Sequence, residues 1–168
     1  MAARLVVIRH AKAGEAPLDI ERPLTDRGLR DAAAIGDWLR DAGVAPERAV
    51  VSPARRARET WQEAAARLDD APEAAIDERI YDNEVDLLLD IVHETPDDVG
   101  TLVLVGHNPA FGALAVELDD GRGDADARRG LHAAFPTSAV AVFDIAGSWA
   151  DVDEGVGTLT GFAAPRGH

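Results

Sequence analysis

The hydropathy pattern predicts an α/β fold: a three-layer α/β/α sandwich around a mostly parallel sheet with an antiparallel edge strand. Three observations carry this expectation. Residues 5–8 (LVVI) and 101–105 (TLVLV) are unbroken apolar runs, largely β-branched, of the kind that forms strands buried on both faces. Segments with helical spacing alternate with such runs, as βαβ units require. Both runs stop abruptly at a histidine, His10 after Arg9 and His107 after Gly106. In a parallel sheet, the carboxyl ends of the strands lie along one edge, where ligands bind. The chain has 168 residues, 46% of them hydrophobic, which suits one domain over residues 1–168.

The first strand leads into residues 14–23, rich in turn formers and charges and read as a loop. Thr25 is a good N-cap, with Asp26 in the first turn, for a helix reaching about Ala42 and closed by Gly43. Its apolar positions Leu29, Ala32, Ile35 and Leu39 share one face, and Trp38 beside them is assigned to the core. Residues 49–52 form a second short strand. Ser52 then serves as N-cap and Pro53 as first residue of a helix to about Leu68. Residues 74–80 are a weak third strand, followed by Tyr81, Asp82, Asn83 and Glu84 and a helix over 85–93, with His93 structural. After the 101–105 strand comes a helix over 110–118. Residues 119–134 are expected to be mainly a mobile loop, in part helical or a rim to the site, with His132 solvated. Strands over 139–145 and 157–163 complete the sheet, the last at an antiparallel edge, and residues 165–168 form a loose tail.

Composition excludes several classes of function. The formal net charge of -14 argues against nucleic acid, whose phosphates need a basic footprint. No apolar run approaches a membrane span, and residues 1–8 do not resemble a leader, so the expected location is the cytoplasm. With no cysteine and few candidate carboxylate ligands, no metal site is expected and no cofactor is implied.

Arginines in this acidic chain are therefore informative. Arg55, Arg56 and Arg58 crowd the start of the second helix, where cations oppose the helix dipole. Arg55 has Glu59 four residues on as a partner, whereas Arg56 has Thr60 there and no carboxylate. Arg56 is thus read as an anion ligand, and Arg55 and Arg58 as solvated. Arg9, His10, Arg56 and His107 together suit a phosphoryl group, one imidazole attacking while the other groups neutralise the equatorial oxygens.

These segments resemble the histidine phosphatase superfamily. The resemblance lies in Arg9-His10 after the first strand, Ser52-Pro53-Ala54-Arg55-Arg56-Ala57 before a helix, and the Gly106-His107 strand end. Within it, residues 9–12 (RHAK), 21–28 (ERPLTDRG), 105–109 (VGHNP) and Pro136-Thr137 are similar to the SixA-like branch of phosphohistidine phosphatases. The likeness runs from Leu5 to about Pro165. Ala11 stands where the superfamily usually has glycine, and the insertion that encloses phosphorylated sugars in mutase-type relatives is missing, which implies an open site.

The resemblance implies that His10 is the nucleophile, its Nδ1–H held by a backbone carbonyl, and that Arg9, Arg56 and His107 bind the phosphoryl oxygens. Lys12 and Arg22 would ring the entrance. Relatives acting on esters use a carboxylate proton donor after the third strand. Glu84 stands nearest that place, with Asp82 the other option. The implied activity is removal of phosphate from phosphohistidine on a partner protein, through a covalent phosphohistidine enzyme. The alternatives are a general phosphomonoesterase for small phosphorylated molecules and a non-catalytic phosphate-binding module.

Overall fold

A computed structural model describes residues 3–168; Met1 and Ala2 lie outside the described residues. The chain runs β1 (Ala3–Arg9), α1 (Asp26–Asp41), β2 (Arg48–Val51), α2 (Arg55–Ala65), β3 (Ala74–Ile76), α3 (Val85–His93), β4 (Thr101–Gly106), α4 (Ala110–Leu118), α5 (Ala125–Ala133), β5 (Val140–Ile145) and β6 (Gly157–Ala163). The strands form one sheet in the order β3-β2-β4-β1-β5-β6. The first four run parallel to one another, β5 is antiparallel to β1, and β6 is antiparallel to β5. The expected mostly parallel sheet with an antiparallel edge pairing is thus present, with β5 itself reversed inside it.

Alternation along the central strands divides the core. Val6 and Ile8, with Val103 and Val105, face α1 and α2 through Ile35, Leu39 and Trp61. Leu5 and Val7, with Leu102 and Leu104, face α3, α4 and α5 through Leu88, Phe111 and Leu131. Buried on both faces through their centres, β1 and β4 need apolar side chains at residues 5–8 and 102–105, which is why those runs are continuous rather than alternating.

Several local expectations change. The segment before α2 does not use Ser52 as its cap: the helix starts at Arg55 with Ala54 in the cap position. Ser52 instead accepts the Ala54 N–H at 3.2 Å, two residues too early to cap, and is drawn toward His107. β3 ends at Ile76, because Asp77 accepts the Arg79 N–H and turns residues 78–80 into a 3₁₀ turn. The helical part of the 119–134 segment is α5, started by Asp124 accepting the Ala127 N–H. His132 on α5 is not merely solvated, since its Nε2 meets buried Asp119 at 2.7 Å, beside Arg128. The tail is tied down rather than loose: Gly167 N donates to buried Asp31 at 2.9 Å.

Candidate active site

The register places the site. Arg9 is paired with Gly106 in the β1–β4 ladder, so the residues that follow, His10 and His107, emerge side by side. His10 N donates to Gly106 O at 2.9 Å, and the two ring centroids are 5.3 Å apart. β2 ends level with β4, and Ser52 N donates to Val105 O at 3.1 Å. Ser138, beside the start of β5, donates its N–H to His10 O. Four chain segments thus close on one end of the sheet.

Around them lies a cleft of about 560 Å³, lined by Arg9, His10, Lys12, Asp19, Arg22, Arg56, Tyr81, Asn83, His107 and neighbours. All six expected residues apart from Glu84 are brought together here. Lys12 is exposed and Arg22 half-buried, its Nε bonded to Gly14 O. Arg56 is 7% exposed, while Arg55 and Arg58 point outward, Arg55 to Glu59 and Arg58 to Pro53 O. Glu84 does not fit the expected place. It is exposed in the residue before α3, makes no cap bond and does not line the cleft; Asp82 is exposed as well. The 3₁₀ turn at 78–80 and the left-handed Asn83, φ +62°, set the path that puts Tyr81 and Asn83, rather than Asp82 and Glu84, on the cleft wall.

The carboxylate that does line the cleft is Asp19, which sequence reasoning passed over inside a loop. Its Oδ2 accepts from Arg56 at 3.1 Å and from Tyr81 Oη at 2.6 Å, and its Oδ1 from Arg22 at 3.3 Å. Its backbone O takes a second Arg56 N–H at 2.8 Å. The sequence held one signal for it, an acid within a loop that leaves the first strand and so must pass the same sheet edge.

His10 Nδ1 is 2.7 Å from Ala11 O. A carbonyl can only accept, so Nδ1 carries the hydrogen and Nε2 keeps its lone pair whenever the ring is neutral. Burial, opposed by that bond and aided by Arg56, Arg9 and Arg22, lowers the ring's pKa to about 4. Burial and the neighbouring His10 lower His107 to about 3. The hydrogen bond from Tyr81, then Arg56, holds Asp19 at about 2, and Asp19 in turn raises Tyr81. At neutral pH the cleft therefore holds two neutral imidazoles and an ionised carboxylate. Ala11 is fully buried, packs its methyl with Leu24 and Ala32, and donates its N–H to Thr60, so the methyl in place of glycine turns away from the cleft.

Arg9 Nε, Arg56 Nε and His107 Nδ1 are buried with no hydrogen-bond partner. Such groups are costly unless a ligand satisfies them. Two of the three are cationic donors, and together they can hold the oxygens of a tetrahedral anion. Among the described residues, no group of three or more His, Asp or Glu side chains is placed to hold a metal ion, and no helix is long and apolar enough to cross a membrane.

Comparison with known proteins gives the family. The family model for the histidine phosphatase superfamily (branch 1) matches residues 5–99. An uncharacterized protein of Mycobacterium tuberculosis H37Rv is 39% identical over 95% of this chain and 100% of its own length. The phosphohistidine phosphatase SixA of Escherichia coli K12 is 30% identical over 82% of this chain and 83% of its own. A solved structure from Nakamurella multipartitia, named as a phosphohistidine phosphatase SixA, superposes with a TM-score of 0.87 at 32% identity, covering 98% of this chain and 97% of that one.

Proposed function

Because the chain belongs to the histidine phosphatase superfamily, in its SixA-like branch, we propose that it is a single-domain cytoplasmic phosphatase that removes phosphate from phosphohistidine on a partner protein through a covalent intermediate on His10. The observation that carries this reading is the His10 ring. Its Nδ1–H is fixed on Ala11 O and the ring stays neutral, so Nε2 is available to attack phosphorus.

The step balances without a proton donor. A phosphohistidine ring protonated on its other nitrogen presents a phosphoimidazolium. His10 Nε2 forms a bond to phosphorus, the substrate P–N bond breaks, and its electron pair returns to the leaving nitrogen. The substrate ring departs as neutral imidazole, and His10 becomes the phosphoimidazolium. Water then attacks phosphorus, giving inorganic phosphate and free His10. Arg9, Arg56 and His107 supply the N–H groups that hold the phosphoryl oxygens in both steps, and losing one such donor costs about 10²–10³ in turnover. Lys12 and Arg22 add positive charge at the mouth. The openness of the cleft, with Lys12 exposed at its rim, suits a ring displayed on another protein.

The test is a substrate panel of phosphohistidine peptide, phosphoramidate and sugar phosphates, run on wild type and His10→Ala, with acid-quench trapping of labelled phosphate. Fast turnover of the N–P substrates and label on His10 are expected. Undiminished hydrolysis by His10→Ala overturns the mechanism, and preference for sugar phosphates overturns the substrate.

A further inference from the structure

Asp19 raises a physical problem. An ionised carboxylate in a cleft built for a phosphoryl group repels that group, and Asp19 takes both terminal nitrogens of Arg56, Nη2 on its carboxylate and Nη1 on its backbone O. The cations lining the cleft are Arg9, Lys12, Arg22 and Arg56, and Asp19 is the one carboxylate among the described lining residues. Asp19 is not there by accident of a loose loop. Its segment is pinned at the base by Gly14 N to Pro23 O at 2.7 Å, Thr25 N to Lys12 O at 2.9 Å and Leu24 N to Glu59 at 2.9 Å. Three side chains, Arg56, Tyr81 and Arg22, then aim at the carboxylate. Its own side chain is still 53% exposed, leaving room for a further donor.

We propose that Asp19 is a specificity-determining residue whose carboxylate accepts the ring N–H of a bound phosphoimidazolium, so that the site favours phosphohistidine over phosphate esters. This rests on the phosphohistidine reading above and names the group that enforces it. The P–N bond breaks easily only while the distal ring nitrogen holds its proton, since an unprotonated ring would have to leave as an imidazolide anion. A carboxylate facing that N–H holds the proton in place through a charge-assisted hydrogen bond. No proton is transferred: the substrate ring keeps it and leaves neutral. A phosphate ester has no such N–H to offer. Its leaving oxygen needs a proton, which a carboxylate held ionised by Tyr81 and Arg56 does not supply. The same group thus assists one substrate class and opposes the other.

The experiment compares wild type, Asp19→Asn and Asp19→Ala on a phosphohistidine peptide and on p-nitrophenyl phosphate, whose phenolate leaves without a proton. The amide of Asn keeps an acceptor for Arg56 and Tyr81, and Ala guards against a misleading amide rotamer. For both variants kcat/KM on the peptide should fall about 10- to 100-fold, the worth of one hydrogen bond to a charged group. Turnover of the ester should hold or rise. The alkaline limb of the peptide profile should also move to lower pH, because the bound ring loses its proton more readily. A parallel fall on both substrates, which would mark Asp19 as merely orienting Arg56, overturns the proposal, as does an unchanged ratio. Wild type that hydrolyses the ester but not the peptide overturns the functional reading itself, and that result is visible before any variant is made.

Discussion

Ser52 Oγ lies 2.7 Å from Nε2 of His107, joining residues 55 positions apart in the chain. Both are buried, and Ser52 Oγ also accepts the Ala54 N–H. Its own hydrogen can then point at Nε2, and we assign the bond in that direction. With the hydroxyl donating, the single proton of the neutral His107 ring sits on Nδ1, the nitrogen that has no partner inside the protein. The same hydroxyl that fails to cap α2 thus orients the second imidazole.

Ser52→Ala should remove this control while leaving α2 in place, because Ser52 does not cap it. Loss of a group that orients a ligand-binding His costs about 10- to 100-fold. We expect kcat to fall by that amount, with unfolding in urea changed far less. Nitrogen NMR of His107 should show the Nδ1–H form in wild type and mixed tautomers in the variant. Unchanged tautomer and rate would remove Ser52 from the mechanism.

His10 gives the protein a specific acid sensitivity. Its pKa is about 4 when folded, against about 6.5 in the unfolded chain. Between those values the unfolded chain binds the proton and the folded one does not, so stability falls as pH drops through this window and is complete above it. By pH 4.5 the loss from this ring is about 2–3 kcal/mol. The difference in urea stability between pH 7 and pH 4.5 should shrink by that amount in His10→Gln. Equal losses in both proteins would show that His10 is ordinary.

Gly28 sits in the first turn of α1, where an added Cβ would lie 2.1 Å from the backbone O of Lys12. That oxygen belongs to the segment carrying Lys12 and Ala13 along the cleft. Gly28→Ala must displace backbone, so it should destabilise by about 1–3 kcal/mol and lower kcat/KM as well. Gly43→Ala is the control: φ is +72° with open space around it, so it should cost stability alone. Loss of stability without loss of activity in Gly28→Ala would uncouple α1 from the site.

Glu84 is exposed and away from the cleft. Glu84→Gln should leave kcat within about 2-fold and stability within about 0.5 kcal/mol, as surface changes generally do. A fall of 100-fold on phosphate esters would restore it as the proton donor.

The legible parts of the site were those whose chemistry is local. Arg9-His10 and Gly106-His107 announce themselves because burial along β1 and β4 ends at a polar group. Arg56 stood out because its own helix offers it no carboxylate. Asp19 was hidden, since within its loop it is one acid among Glu15, Asp19 and Glu21. Its partners Arg56 and Tyr81 are 37 and 62 residues away. Glu84 misled because a position after the third strand does not say which way a side chain turns once a 3₁₀ turn and a left-handed Asn83 intervene.

By itself the sequence determined which strands are buried on both faces and which reactive groups stand at their ends, because both follow from the order of apolar and polar residues along one segment. Tertiary structure decided how those ends meet. The pairing of Arg9 with Gly106 sets two imidazoles side by side, and the path of the 14–23 loop delivers a carboxylate to Arg56. Register and loop path are settled by contacts between distant segments, and no single segment carries that information.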